Sequence, residues 1–384
     1  MDLQSILNEY TKYADNKPVI ISAPGRINLI GEHTDYNHGF VLPAAIDKRM
    51  IIALGKASNT QKVKIKSIDF DEEVEIDLAD LDSQRKGWEG YIQAILSEVV
   101  SRNLKLEGFN AVFTSDIPLG AGMSSSAALC CGFLSALNKE FDWSLGNIEI
   151  AKMAQASEHR LGANVGLMDQ FAVMYGKRDN AIFLDCRDYS HQYFPLDLKG
   201  YSLVLINTNV KHELVDSAYN DRRASCERTL AELQKKNANI KTLRDVTLQI
   251  LEDNSSDISS EDLQRVRFVI NENERVQKTT KALAKGLLQE VGKLLYQSHD
   301  GLSKEYQVSC KELDLLVDLT KNEKGVLGAR MMGGGFGGCT INLIKSSEAD
   351  KIVSGIKEKY QEQTKIQPES YLVSVENGLT QEVP

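Results

Sequence analysis

Three short segments concentrate the residues able to do chemistry. The first runs Gly25-Arg26-Ile27-Asn28-Leu29-Ile30-Gly31-Glu32-His33-Thr34-Asp35-Tyr36-Asn37-His38-Gly39 and gathers a guanidinium, two carboxylates and two imidazoles. A short carboxylate such as Asp35 can accept paired hydroxyl hydrogen bonds from a polyol. Arg26 has the fork geometry that meets a phosphate bidentately. A polar surface turn is the plainer reading. The second segment is Pro118-Leu119-Gly120-Ala121-Gly122-Met123-Ser124-Ser125-Ser126-Ala127-Ala128. Glycines permit tight turns, and free N–H groups at a helix start favour an anion. An ordinary serine cap is the plainer reading here, but two glycines and three serines exceed what a cap needs. The third segment, Arg330-Met331-Met332-Gly333-Gly334-Gly335-Phe336-Gly337-Gly338-Cys339, places five glycines in six positions. That run costs backbone entropy and implies close approach to another loop or to a ligand. A flexible linker is the alternative, and the strand-like TINLI that follows argues against it.

These segments need a scaffold. At 384 residues, two domains are expected. Lys and Arg number 45 against 54 Asp and Glu, a net charge of −9 with pI ≈ 5.4. That balance excludes a general binder of nucleic acid or anionic membrane, so an anion would be met at a local site. The start, MDLQSILNEYTKYADNK, lacks a basic region followed by an apolar run. The most apolar stretch, Ala127 to Leu137, is too short to span a bilayer. Six cysteines form no CxxC pair and the histidines no HExxH, so reduced thiols and a cytoplasmic setting are expected.

Periodicity predicts an amphipathic helix over 1–16, with Leu3, Ile6, Leu7 and Tyr10 on one side. Strands are predicted over 18–22, 40–46 and 49–55, within 62–77, and over Phe109 to Phe113, Ala181 to Leu184, Leu203 to Thr208, Ile341 to Ile344 and Tyr371 to Glu376. Helices are predicted from Trp88 to Val99, about Ser124 to Leu137, Asn147 to His159 and 348–362. Long charged helical stretches cover 213–237 and 261–300, with a polar loop at 252–260. Strands that precede long helices argue α+β rather than a doubly wound parallel sheet. A boundary near 195–205 divides the chain into 1–200 and 201–384. There is no GxxxxGK[ST], no GxGxxG in a βαβ setting, and no HRD or DFG landmark.

Taken together and in this order, GRINLIGEHTDYNHGFVLP, PLGAGMSSSAA and RMMGGGFGGC resemble the galactokinase branch of the GHMP small-molecule kinases. The likeness covers essentially the whole chain. It implies an N-terminal domain like ribosomal protein S5 domain 2, a ferredoxin-like C-terminal domain with added helices, and an active site between them. It implies ATP with Mg2+, galactose as the sugar, and phosphoryl transfer to the C1 hydroxyl in galactose catabolism.

Asp169, in GLMDQ, matches the family's catalytic aspartate, and Arg26 the arginine beside it. Glu32, His33, Asp35, Gly166 and Tyr219 match sugar-binding positions, together with Asp169. Gly120, Gly122, Ser124, Ser125 and Ser126 match the phosphate loop. Ser125, or a serine next to it, and Glu158 match magnesium-ligand positions. Trp88 and Tyr91, in GWEGY, resemble the aromatic lining of an adenine pocket. NTNVKHELVDSAYNDRR, which includes His212, resembles the stretch that carries the sugar-contacting tyrosine. Ala163-Asn164-Val165 departs from the usual pattern and bears on tolerance for a modified sugar. The rivals are a kinase for a related sugar, such as N-acetylgalactosamine or arabinose, and an inactive sugar-sensing regulator. Intact Arg26, Glu158, Asp169 and serine loop speak against the regulator. The expected partners are the sugar and MgATP, without nucleic acid or membrane, and a monomer is expected although no motif encodes oligomeric state.

Overall fold

The computed structural model describes residues 3–57, 60–82, 85–210 and 215–383, so His212 lies outside the described residues. The first half runs α1 (Leu3–Tyr10), β1 (Val19–Asn28), β2 (Phe40–Val41), β3 (Pro43–Lys56), β4 (Lys62–Ser67), β5 (Glu72–Asp77), α2 (Gly87–Ser101), β6 (Phe109–Ser115), α3 (Ser125–Glu140), α4 (Asn147–Arg160), α5 (Met168–Tyr175), β7 (Asn180–Asp185) and β8 (His191–Pro195). The second half runs β9 (Tyr201–Asn207), α6 (Val215–Lys236), α7 (Leu248–Asp253), α8 (Ser260–Ala284), α9 (Leu288–Lys304), α10 (Lys311–Lys321), β10 (Val326–Met331), β11 (Cys339–Lys345), α11 (Ala349–Thr364), β12 (Glu369–Val373) and β13 (Thr380–Glu382). The class is the expected α+β.

Three sheets organise these elements: β13-β1-β3-β6-β4-β5, β10-β11-β9-β12 and β2-β7-β8. β4 and β5 alternate buried and exposed residues, as strands with one covered face do. β1 is buried almost throughout, with α3 and α5 packed against it. Its antiparallel register with β3 breaks between Pro24 and Arg26. Such a bulge re-aims a side chain, here Arg26. Gly25 sits at the break, where a Cβ would come within 2.9 Å of the Met123 carbonyl oxygen, so the second motif can pack directly on the strand.

The chain crosses to the second sheet between β8 and β9, and its end returns. Leu379 and Gly378 donate backbone hydrogen bonds to Val173 (2.7 Å) and Gly176 (2.8 Å), and β13 then pairs with β1. Arg49 of β3 grips the same strap through the carbonyls of Asn377 and Gly378, both at 2.9 Å.

The structure corrects several expectations. Helix α1 ends at Tyr10, short of residue 16. β1 continues through Gly25 to Asn28, inside the first motif. Residues 43–56 form one strand, because Ala44 and Ala45 pair with the end of β1 while Met50 to Leu54 pair with its start. The helical stretch 261–300 breaks at Gly286, whose φ of +65° ends α8. The polar region 252–260 holds the end of α7 and a single 3-10 turn, Ser255–Asp257. β8, α10, β10 and β13 were not anticipated.

The third motif is a fitted turn rather than a linker. Gly335 has φ +84°, a Cβ there would overlap the Val308 carbonyl oxygen, and Phe336 N–H donates to that same carbonyl at 2.7 Å. Gly335→Ala is therefore expected to lower unfolding stability by about 1–3 kcal/mol. Gly355→Ala, inside α11 with open space at its Cβ, should raise stability by about 0.5–1 kcal/mol. Urea midpoints of the two variants should move in opposite directions; a shared direction would contradict this reading of the turn.

Candidate active site

Arg26 leaves the β1 bulge and meets Asp169 in the first turn of α5. Nε donates to Oδ1 and Nη2 to Oδ2, each at 2.8 Å. The remaining nitrogen, Nη1, donates to the Gly122 carbonyl of the 118–124 loop. Burial opposes the guanidinium charge, but the adjoining Asp169 outweighs it and raises the pKa. The Ser124 hydroxyl also donates to Asp169 Oδ2. Ser124 has φ +58° and makes no side-chain cap on α3, so the first N–H groups of α3 have no side-chain partner there. One fork thus joins β1, the 118–124 loop and α5.

A cavity of about 200 Å³ opens over this pair. Glu32, His33 and Asp35 form one wall, and residues 162–166 with Tyr219 and Asn220 of α6 another. Gly333 and Gly334 supply the edge. Gly166 must lack a side chain, because a Cβ there would overlap the Asp35 carboxylate. Burial, and then the negative charge of Asp169, push the Asp35 carboxyl up to about 7. Glu32 is 1% exposed, and its Oε1 accepts from Gly333 N–H at 2.8 Å and Arg330 Nη2 at 3.1 Å. Burial lowers His33 to about 3, so it is neutral at working pH.

A second cavity, about 490 Å³, lies on the other side of the serines. Trp88, Tyr91, Phe70 and Phe113 line it, and Ser125 and Ser126 stand at its end. Trp88 is fixed by an indole hydrogen bond to Glu72 at 2.8 Å and an edge-on contact with Phe113. Behind the serines lies Glu158, 3% exposed, whose Oε2 accepts from Gln170 Nε2 at 2.8 Å. Among the described residues its Oε1 is buried without a partner in hydrogen-bond geometry. Burial pushes this carboxyl up to about 7; Ser126, rather than Ser125, is the serine that opposes the shift.

The structure therefore gathers Arg26, Glu32, His33, Asp35, Gly166, Asp169 and Tyr219 at one cavity, and Trp88, Ser125 and Ser126 at the other. Gly120 and Gly122, with φ +70° each, form the turn between them. Loop 332–338 faces that turn, with Met332 and Gly338 set against Gly122 and Gly120. Sequence reasoning missed Tyr36, Tyr306, Arg330, Gln170 and Asn220. Asn220 accepts from Asn164 Nδ2 at 3.1 Å across the cavity rim. For Arg330, the unusual placement of an arginine just before a glycine run was the available signal. Among the described residues no helix is long and apolar enough to cross a membrane. None of their His, Cys, Asp and Glu side chains form a group of three able to hold a metal ion. All six cysteines are free thiols.

The profiles of the GHMP kinases N terminal domain and the GHMP kinases C terminal match residues 90–177 and 279–362. With the fold and the facing loops, they define a GHMP small-molecule kinase with its N-terminal and C-terminal domains. The galactokinase galactose-binding signature matches residues 8–56. The galactokinase of Thermosipho africanus is 40% identical over 361 residues, 94% of this chain and 99% of that protein. That of Clostridium acetobutylicum is 39% identical over 98% of this chain and 99% of its own. The crystal structure of Lactococcus lactis galactokinase complexed with galactose superposes with a TM-score of 0.94 at 30% identity, covering 99% of this chain and 100% of that one. The chain belongs to the galactokinase family and is an ATP-dependent sugar kinase. L. major mevalonate kinase, at 19% identity and TM-score 0.63, shares the fold.

Both raised carboxyls have a thermodynamic consequence. In the folded, ligand-free chain Asp35 and Glu158 keep their protons up to about pH 7, whereas in the unfolded chain they ionise near 4. The folded state then binds more protons across that window, so these groups make stability fall as pH rises from about 4 to 7. Asp35→Asn should flatten part of that fall. Denaturant midpoints at pH 5 and pH 8 test it, and parallel pH profiles for variant and wild type would contradict it.

Proposed function

We propose that the chain transfers the γ-phosphoryl group of ATP to the C1 hydroxyl of α-D-galactose, releasing α-D-galactose 1-phosphate and ADP in galactose catabolism. One juxtaposition carries the reading. The Asp169–Arg26 fork lies where the polar cavity meets the open helix start of α3. In this reading the sugar occupies the smaller cavity, and the adenine lies beside Trp88 and Tyr91 in the larger one. The phosphates lie on the N–H groups of the Gly120–Ser126 turn, where a helix dipole favours negative charge.

Phosphoryl transfer asks mostly for positioning and charge stabilisation. Asp169 orients the C1 hydroxyl and accepts its proton as the oxygen attacks the γ-phosphorus in line. Arg26 keeps Asp169 ionised and adds positive charge beside the transferring group. Glu32, His33, Asp35, Gly166 and Tyr219 select the sugar. An axial hydroxyl at C4 is distinguished from an equatorial one by which buried polar group is left unpaired.

The buried Oε1 of Glu158, on a carboxyl that meets Ser126, fits magnesium, which takes oxygen ligands and is commonly held by one or two carboxylates plus substrate phosphates. Glu158 and Ser125, or Ser126 beside it, would hold the ion. Bound there, magnesium supplies charge neutralisation at the phosphate oxygens. Residues 1–200 are taken as the domain carrying the sugar signature and phosphate loop, and residues 201–384 as the domain that closes the site. In this reading a monomer acts on sugar and MgATP.

ADP release and product analysis against galactose, glucose, N-acetylgalactosamine and arabinose test the substrate, with phosphate at C1 of galactose expected. Asp169→Asn should retain galactose and ATP binding while kcat falls by about 10²–10⁴-fold; undiminished kcat would remove Asp169 from its role. Asp35→Ala should chiefly weaken galactose binding in titration calorimetry, and an unchanged Kd would count against its place in the sugar wall.

A further inference from the structure

A row of polar groups leads away from the sugar cavity into the protein. His33 Nδ1 lies 2.7 Å from the Tyr36 hydroxyl, which lies 2.8 Å from the Tyr306 hydroxyl, which lies 3.4 Å from Cys226 Sγ. The row joins the signature loop, the turn after α9 and helix α6. Tyr306 is fully buried, Cys226 is 1% exposed and His33 is 4% exposed. The His33 and Tyr306 rings also pack at 4.9 Å between centroids, and Tyr219 closes the other side at 5.3 Å.

Each hydroxyl and the thiol has one proton to donate. In a buried row, a group that donates forward must accept from behind, so the whole row runs in one of two directions. Each direction demands one imidazole tautomer. If Tyr36 donates to Nδ1, Nε2 carries the proton; if Nδ1 donates to Tyr36, Nε2 is a bare acceptor. Burial, aided by the positive charges of Arg222 and Arg330 and opposed by the Gly334 backbone, keeps the ring neutral so that a single tautomer exists. Nε2 is buried, on a residue that lines the cavity, and among the described residues no group meets it in hydrogen-bond geometry, although the Gly334 backbone faces the ring. Leaving such an atom unpaired costs free energy that a ligand hydroxyl can recover.

We propose that Tyr36 and Tyr306 are positioning residues for sugar choice, holding His33 as one tautomer whose Nε2 pairs with a single hydroxyl of the bound sugar. This rests on the sugar reading of the cavity given above. The row acts on recognition, so its loss moves KM and affinity more than kcat.

The test is affinity and kinetics for galactose and its 2-, 3-, 4- and 6-deoxy analogues in wild type, Tyr36→Phe, Tyr306→Phe and His33→Ala. One deoxy analogue should bind wild type about tenfold or more weakly through the loss of the His33 partner. In His33→Ala and Tyr36→Phe that one penalty should shrink to within about threefold while the other penalties persist. Tyr306→Phe should shift the same penalty by less, because it lies one hydrogen bond further from the ring. A merely structural role would weaken every analogue alike, and that result, or an unchanged penalty pattern, overturns the proposal. Should Tyr36→Phe fail to fold, Cys226→Ser and Cys226→Ala carry the test at the far end of the row. Serine should preserve the wild-type pattern and alanine should blunt the same single penalty; identical patterns in both overturn it. If wild type itself neither binds nor phosphorylates galactose, the sugar reading fails and this inference falls with it, an outcome distinct from uniform weakening.

Discussion

The forked ion pair between Arg26 and Asp169 sets the terms for everything around it. It spans 143 residues of sequence, and the guanidinium is almost wholly removed from water. A buried charge is tolerable when its geometry is good and its remaining donors are satisfied. That requirement draws three elements to one point. β1 must break its register to aim Arg26, α5 must begin at Met168 to present Asp169, and the glycine turn must bring the Gly122 carbonyl to the last guanidinium nitrogen. Gly25 follows from this, since the turn packs where its side chain would be. So does the left-handed Ser124, which gives its hydroxyl to Asp169 and leaves the start of α3 without a side-chain cap.

The loop carrying Glu32, His33 and Asp35 is held from behind by the second half of the chain. Glu272 of α8 accepts from Gly31 N–H at 3.1 Å and from Ser298 at 2.6 Å, and Asn273 accepts from Phe40 N–H at 2.7 Å. Arg330, with no exposed surface, donates to the carbonyls of Asn28 and Leu29 and to Glu32. The loop carrying Glu32, His33 and Asp35 therefore keeps its shape only when both halves are docked. The C-terminal strap adds to that docking from the far side, since it bonds to α5 and then pairs with β1, the two elements that carry Asp169 and Arg26. The cavity and the Arg26–Asp169 pair are in this sense one structural unit, built across the seam.

The chemistry-bearing segments were legible in the sequence because each is local. Gly25 to Gly39, Pro118 to Ala128 and Arg330 to Cys339 are short runs whose residue types already limit what they can do, and the structure brings them to one region. Strand and helix cores were legible from periodicity, as in β4, β5 and α4. What could not be read is what depends on distant partners. Arg330 meets Leu29 across 301 positions and Tyr306 meets Tyr36 across 270, and neither has a local pattern marking the partnership. β13 is three residues long and exists because β1 offers it an edge. The choice among three serines was also closed to sequence reasoning, since neighbouring residues on a turn and helix start point in different directions. Only the fold sends Ser124 to Asp169 and sets Ser126 against Glu158.

Charge balance accounts for the remaining features of the site. Four carboxylates, Glu32, Asp35, Glu158 and Asp169, stand near two buried arginines. Arg26 is committed to Asp169 and Arg330 to Glu32, which leaves Asp35 and Glu158 without a cationic partner in contact among the described residues. Their carboxyls are driven upward by burial and by the charge of Asp169. Pairing them would have stabilised the fold, but a lysine or arginine there would occupy the acceptor oxygens. Under the proposed reading those oxygens are needed by sugar hydroxyls at Asp35 and by a cation at Glu158. The two shifted carboxyls are thus the cost of an open site: the ligand-free fold gives up stability near neutral pH and keeps acceptors that a substrate, on binding, can satisfy.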